Sequence, residues 1–298
     1  MEHPSSFTYY GVEKEQFSGV KVIKIEMRNV QLGYGYKPVL KDLTLRVMPG
    51  EVVGLIGPNG SGKSTIIKAL SRVISPYSGK ILLDGKDIAR IPRKELARLL
   101  GVVPQIPLLP STFTAFEIVL MGRNPHLGLF QSESRRDWAI AREAMVKTST
   151  GPLANRYINE LSGGEIQSLL IARVLVQETS AILLDEPTAN LDIGRQVEVL
   201  DLIKNLCLEN SLTVLAALHD LNLAAQYCDR LLLINEGRIH IQGKPAEVIT
   251  DANIKQVYGA ENCVYTHPVN GLPTVLLSAN RNRAASNGTI SGSGGKRL

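Results

Sequence analysis

The stretch that most constrains this chain is Gly57, Pro58, Asn59, Gly60, Ser61, Gly62, Lys63, Ser64, Thr65, placed directly after the apolar run Val52 to Ile56. A buried strand that turns through closely spaced glycines into a helix wraps successive backbone N–H groups around a polyphosphate. Glycines at 57, 60 and 62 let the backbone approach the phosphates without side-chain clash. Lys63 then neutralises the β- and γ-phosphates and the Ser64 hydroxyl ligates Mg2+, while the new helix aims its N-terminal dipole at the same charge. The plain alternative is a surface glycine turn that happens to precede a lysine. The apolar strand before it and the helix-compatible Thr65 to Leu70 after it weigh against that reading.

Around this loop the chain alternates in a way that predicts an α/β fold. From Val22, apolar and polar residues alternate through Ile25, Met27, Val30 and Leu32 and again through Leu40, Leu43, Leu45 and Val47, the pattern of an antiparallel sheet. Further on, apolar runs at Ala181 to Leu184 and Leu212 to Leu218 alternate with helical stretches, the rhythm of a doubly wound parallel sheet. Between them, about 101–165 reads as mostly helical. The predicted architecture is a P-loop nucleotide-binding core with a parallel sheet, an N-terminal antiparallel β subdomain and an inserted α-helical subdomain. Residues 1–20 are expected to be loosely ordered, 21–259 to form the nucleotide-binding domain, and 260–298 to be an extension, disordered from about 279. The part of that extension with Pro268 and Pro273 between short apolar runs is either a small extra strand pair or an uninformative tail.

Composition removes several classes. The net charge is +5, from 33 basic and 28 acidic residues, a mild excess that gives no reason to expect nucleic acid as a partner. Cys207, Cys228 and Cys263 lie far apart and match no disulfide scaffold or metal spacing, which points to a reducing compartment. No window approaches the roughly 18 uninterrupted apolar residues of a membrane span, and the first residues lack the basic start and apolar run of a secretory signal. Any membrane association is therefore expected to run through a partner.

Further segments carry candidate chemistry. The run Ile182 to Leu184 ends in Asp185 and Glu186; a carboxylate at the end of a buried strand beside the loop can hold Mg2+, and Glu186 is placed to act as general base on the water that attacks the γ-phosphate. His219 follows a second apolar strand and arrives at the same sheet edge, where its imidazole can hold that water and carboxylate in line, while Asp220 reads as the cap of the next helix. Gln105 ends a short strand before a proline-rich loop, and its uncharged amide suits a sensor of the metal or of the attacking water. Ser162, Gly163, Gly164 and Glu165 open a helix as a second anion-binding design. One chain has no use for two such designs on one nucleotide. The economical resolution is a symmetric head-to-tail dimer in which this helix start closes over ATP held by the partner, with Asp192 at the junction. Tyr34 can stack on adenine, with Tyr36 as its rival.

Taken together, these segments resemble the ATP-binding subunit of ABC transporters over about residues 22–259. The loop at Gly57 to Thr65, Gln105, the Leu161 to Glu165 signature, the Asp185–Glu186 pair, the Asp192 loop and His219 stand in that family's order and spacing. The resemblance implies an ATPase using ATP and Mg2+, with Tyr34 as the adenine-stacking aromatic, Glu186 as catalytic base and Gln105 at the start of the loop that couples hydrolysis to the membrane subunits. It also implies a peripheral position on the cytoplasmic face of the membrane. The implied partners are a second copy of the chain, two integral membrane permease subunits contacting 105–126 and, indirectly, an external substrate-binding protein.

Met121, Gly122, Arg123, Asn124, Pro125, His126, the run His219 to Arg230 and the segment Pro245 to Tyr258 are similar to the branch that imports iron–siderophore, haem or vitamin B12. The motifs leave room for another solute or an exporter subunit. A soluble ATPase acting on DNA or the ribosome would carry a long coiled-coil insertion or a tandem cassette, and neither is seen. Ser168 stands where the family usually has arginine and Val174 where it has alanine, and Gln177 to Ser180 replace a proline-containing turn.

Overall fold

The computed structural model describes residues 22–105, 107–189, 191–259 and 262–277. The loose start expected over 1–20 and the disorder expected from about 279 lie outside them. Alternating apolar residues form strands β1 (Ile25–Tyr34) and β2 (Lys37–Val47), which pair antiparallel. Pro49 and Gly50 turn the chain into β3 (Val52–Ile56), all of it buried, and the glycine loop leads to helix α1 (Lys63–Leu70). Strands β4 (Ser78–Leu83) and β5 (Lys86–Asp87), helix α2 (Arg93–Leu99) and strand β6 (Leu100–Val103) follow. Helices α3 (Ala115–Leu120), α4 (Arg135–Lys147) and α5 (Gly163–Val176) start at Thr114, Ser134 and Ser162, and each start is a capping box that satisfies two orphan N–H groups. Strand and helix then alternate through β7 (Ala181–Asp185), α6 (Ile193–Asn210), β8 (Thr213–Ala217), α7 (Leu221–Tyr227), β9 (Arg230–Asn235) and β10 (Arg238–Gly243). Helices α8 (Pro245–Val248) and α9 (Asp251–Tyr258) precede a hairpin of β11 (Asn262–Thr266) and β12 (Pro273–Leu277). Of the two readings of the segment beyond Gly259, the strand pair is the one found.

The strands form an antiparallel sheet of order β2-β1-β4-β5 and a six-stranded sheet of order β10-β9-β3-β8-β7-β6, parallel except for β10. Alternation along the central strands sends Val53, Leu55, Leu183 and Leu215 toward the antiparallel sheet and α1. It sends Val52, Ile56, Ile182, Leu184 and Val214 toward α5, α6 and α7. With both faces covered, β3, β7 and β8 are buried at every position, which is why they read as unbroken apolar runs.

A third core, including Ile118, Val119, Ala141, Met145 and Leu169, joins α3, α4 and α5. The bounds of the helical subdomain therefore differ from the expected 101–165. Strand β6 pairs with β7 and stays with the sheet, while α5 carries the helical lobe on to Val176. Four apolar residues have too short a period to reveal which layer they join.

Arg123 bolts this lobe together. It is 6 % exposed, and its guanidinium donates to Asp137 on α4 at 2.7 Å, to the Val176 carbonyl at the end of α5 at 2.8 Å and to Glu178 at 2.6 Å. The Ser134 hydroxyl and N–H, with Arg123, hold the Asp137 carboxyl down at about 2. His126 adds a 2.8 Å bond to the Gln177 carbonyl, and the Gln177 amide donates to the carbonyls of Ala97 and Leu100. Arg123→Ala leaves the buried Asp137 without its cation, and the expected cost is about 3 kcal/mol of stability. Urea unfolding of the purified chain checks it, with an unchanged midpoint counting against the bolt.

Candidate functional site

Parallel pairing brings four loops to one sheet edge. Leu55 pairs with Ala217, Ala217 with Asp185, and Leu184 with Val103. Gly57, His219, Glu186 and Gln105, one or two residues further on, thus leave β3, β8, β7 and β6 side by side at their carboxyl ends, where open α/β sheets bind ligands.

The glycine loop has the geometry of an anion cradle. Gly57 and Gly62 have φ of 147° and 109°, and a Cβ on Gly57 would lie 2.2 Å from the Ile234 carbonyl oxygen. Helix α1 starts without a side-chain cap or an acidic residue in its first turn, which leaves its leading N–H groups for a ligand. Ser61 Oγ is buried without a hydrogen-bond partner. Lys63, 5 % exposed, turns its Nζ onto the carbonyls of Gly57 and Pro58 at 2.8 and 3.1 Å. Burial draws the Lys63 ammonium below the usual lysine range, with Glu186 and Asp185 acting against that. Asn59, Gly60 and Thr65 complete the turn and first helical residues.

Ser64 donates to Asp185 Oδ1 at 2.8 Å. Burial, and then the neighbouring Glu186, push the Asp185 carboxyl up, against the Ser64 hydroxyl and Lys68 and Lys63. A buried carboxylate beside a second one is stabilised by an incoming dication, so this donor set fits Mg2+. No group of three His, Cys, Asp or Glu side chains able to hold a metal exists among the described residues. An ion held by Ser64 and Asp185 would need phosphate oxygens and water to fill its remaining positions, as Mg2+ prefers.

Glu186 has a backbone φ of 53°, uncommon outside glycine, and its N–H donates to the Ala217 carbonyl at 3.1 Å. Both of its carboxylate oxygens are engaged: His219 Nε2 lies 3.0 Å from Oε1 and Gln105 Nε2 donates to Oε2 at 2.5 Å. The sequence leaves the metal and the attacking water both open as partners of Gln105. Its amide reaches the catalytic-base candidate, and no hydrogen bond joins it to Ser64 or Asp185 among the described residues. An amide N–H is a donor and finds a carboxylate first, whereas only its oxygen can meet a cation.

Tyr34 stands over the first turn of α1, its hydroxyl 3.5 Å from Thr65 Oγ1 and its ring 5.7 Å from Lys68 Nζ. Its rival Tyr36 is wholly exposed. Tyr258, at the end of α9, went unnoticed in the sequence. Burial pushes its hydroxyl up to about 12, against the Gly57 N–H that donates toward it. Two hundred residues separate the pair, and no local pattern signals such a contact.

The second anion-binding design opens α5 on the helical lobe. Ser162 accepts from the Glu165 N–H at 3.3 Å, and Glu165 Oε2 accepts from the Ser162 N–H and hydroxyl, each at 2.8 Å, which holds the Glu165 carboxyl low. A Cβ on Gly163 would meet nothing within 4 Å, so this helix start is open to approach, while Gly164 lies against Leu191. Asp192 sits beside it, its carboxylate accepting from the Arg195 N–H at 2.9 Å as the cap of α6.

The sequence profile of the ABC transporter family matches residues 40–189. The chain belongs to the ABC transporter family. This ABC ATPase is 40 % identical over 255 residues to the ferric enterobactin transport ATP-binding protein FepC of Escherichia coli (strain K12), covering 86 % of this chain and 94 % of that protein. It is 39 % identical over 257 residues to the hemin import ATP-binding protein HmuV of Pseudomonas entomophila (strain L48), covering 85 % and 99 %. Among solved structures it is similar to the dimeric ATP-binding cassette MJ0796 in a post-hydrolysis state bound to ADP and Pi. The TM-score is 0.67 at 28 % identity, over 74 % of this chain and 98 % of that one.

The positions that depart from the family are accommodated. Ser168 is buried on α5, Val174 packs over Gly101, and Gln177 joins α5 to the end of α2. Among the described residues none of them hydrogen-bonds the phosphate loop, Asp185 or Glu186.

Proposed function

We propose that two copies of this ABC ATPase close over two Mg-ATP molecules and that hydrolysis reopens them, driving import of an iron chelate of the siderophore or haem class, or of cobalamin. Lys63 and the loop N–H groups bind the phosphates, Ser64 and Asp185 hold Mg2+, and Tyr34 stacks on adenine. Bound Mg2+ neutralises phosphate charge. Glu186 takes the proton of the attacking water, with His219 keeping carboxylate and water in line. Ser162, Gly163 and Gly164 of one copy cover the γ-phosphate in the other, and Ile193, 81 % exposed beside Asp192, meets the partner. The relatives named for ferric enterobactin and hemin, and the dimeric cassette, support this reading.

The observation that carries it is the pair of bonds to Glu186. One oxygen is held by His219 and the other by Gln105, the first residue of the loop that leads to the helical lobe. A partner that moves this loop therefore moves a group bonded to the base. Leu108 on the loop is 97 % exposed, an apolar anchor with nothing to pack on. No helix among the described residues is long and apolar enough to cross a membrane. In this reading two integral membrane permease subunits contact 105–126 at the cytoplasmic face, and an external binding protein delivers cargo to them.

The test is reconstitution in liposomes with the permease pair and binding protein of an iron-chelate importer from the same organism. Cargo-loaded binding protein should stimulate phosphate release and drive uptake of ferric siderophore. Leu108→Asp should abolish the stimulation while the free chain hydrolyses ATP as before. Full stimulation in that variant overturns the placement of the permease subunits on 105–126, and an unaltered chain that shows neither stimulated phosphate release nor uptake overturns the importer reading.

A further inference from the structure

The segment after α9 lies outside the machinery described so far, yet it is fastened next to it. Strands β11 and β12 pair with Val264 opposite Val275. At that central pair the outward backbone groups are taken up by side chains. The Val275 N–H donates to Asn222 Oδ1 at 2.8 Å, and the Val275 carbonyl accepts from Asn222 Nδ2 at 3.3 Å. On the other side the Val264 N–H donates to Asp251 Oδ1 at 2.7 Å. One amide side chain thus stands in for a neighbouring strand on the β12 edge. The Val275 side chain, 8 % exposed, is buried in the same core as Ala224 and Ala225 of α7.

Asn222 lies in the first turn of α7. Its N–H and that of Leu223 donate to Asp220 Oδ1 at 2.7 and 2.9 Å, so Asp220 caps the helix. The residue before the cap is His219, whose half-exposed ring rests on Glu186. Helix α7 has seven residues, of which Ala224 and Ala225 are buried. A helix that short has little stability of its own, and the place of its first turn is set by what it packs against.

We infer that the β11–β12 hairpin, acting through Asn222, fixes the first turn of α7 and so holds His219 in reach of Glu186. Asn222 is a positioning residue for ATP hydrolysis, and the hairpin is the brace it leans on. The inference rests on the role given to His219 above. The phosphate loop is reached from β3 and α1 and touched by Tyr258 of α9, and the Asn222–Val275 contact involves none of these, so the brace sets turnover and leaves nucleotide binding alone.

The experiment measures kcat and KM for ATP on the purified full chain and on Asn222→Ala, Val275→Pro, the double variant and His219→Ala. Proline at 275 removes the N–H that Asn222 accepts, at a strand position whose N–H points out of the hairpin. Misplacing a catalytic group by about 1 Å costs up to about 10²-fold, so kcat is expected to fall about tenfold or more in each single variant with KM nearly unchanged. The double variant should be no slower than the slower single, because both changes cut one contact. Wild-type kcat in Asn222→Ala beside a lost kcat in His219→Ala overturns the brace and leaves the role of His219 standing. Wild-type kcat in His219→Ala overturns both. Additive losses, or KM rising with the fall in kcat, show general loosening and overturn the brace. Should Val275→Pro not fold, the kcat and KM of Asn222→Ala decide alone.

Discussion

Glu186→Gln should bind Mg-ATP with wild-type affinity, turn it over about 10² to 10⁴ times more slowly, and accumulate as a closed dimer. The substitution is close to isosteric. A glutamine at 186 can offer its oxygen to the Gln105 amide and, once the imidazole carries its proton on Nδ1, its nitrogen to His219 Nε2, the two groups that now hold the carboxylate oxygens, so the local geometry survives. What is lost is proton affinity. An amide cannot take the proton of the attacking water, and the step that consumes the γ-phosphate stalls. Phosphate release measured against equilibrium nucleotide binding separates the two effects. Light scattering in ATP reads the third: if the clamp opens only after hydrolysis, the variant holds two chains together while the wild type returns to single chains. A Glu186→Gln chain that stays monomeric at saturating ATP, with and without its membrane partners, sinks the dimer mechanism. One that turns over at the wild-type rate sinks the assignment of the base.

How much of this site could be read from sequence depends on how each residue is placed. Asp185, Glu186 and His219 stand at the ends of β7 and β8, which are buried on both faces. Burial makes those strands continuous apolar runs, and parallel pairing delivers their last residues to one edge, so the run and the polar residue after it were enough. Gln105 was harder. Strand β6 has four residues, follows α2 directly and runs out into a proline-rich loop, so the sheet it joins is fixed by pairing with β7, which no local period encodes. The sequence therefore leaves the metal and the attacking water both open as partners of Gln105, and the bond its amide makes to Glu186 is not legible there.

Arg123 shows the same limit from another side. Its segment was legible as a family mark, but its work as a bolt depends on the end of α5 lying fifty residues away. Tyr258 and Asn222 act on backbone groups of Gly57 and Val275, and a backbone partner leaves no trace in the identity of the residue it touches. Caps behaved differently. Ser162 and Asp220 bond within three residues of themselves, and the sequence showed them at once.

Lys63→Ala should separate binding from folding most sharply. The Lys63 ammonium is buried and held by two carbonyls of its own loop, so in the absence of nucleotide it carries a desolvation cost that those carbonyls and the nearby carboxylates offset only in part. Removing it takes away that cost along with its two hydrogen bonds, and the nucleotide-free protein should melt close to the wild-type temperature. With ATP present the balance reverses, because the phosphates lose a charge-assisted donor that no loop N–H group replaces. A loss of about 3 kcal/mol is expected, roughly a hundredfold in Kd. A ligand at about 100 times its Kd stabilises the folded state by about 2.7 kcal/mol, while at its Kd the gain is about 0.4 kcal/mol. At one ATP concentration, chosen near 100 times the wild-type Kd, the thermal shift should therefore nearly vanish in the variant. An undiminished shift would mean that the loop N–H groups and the α1 dipole bind the triphosphate without help from the lysine. Equal losses in the presence and absence of ATP would mean that Lys63 serves the loop and not the ligand.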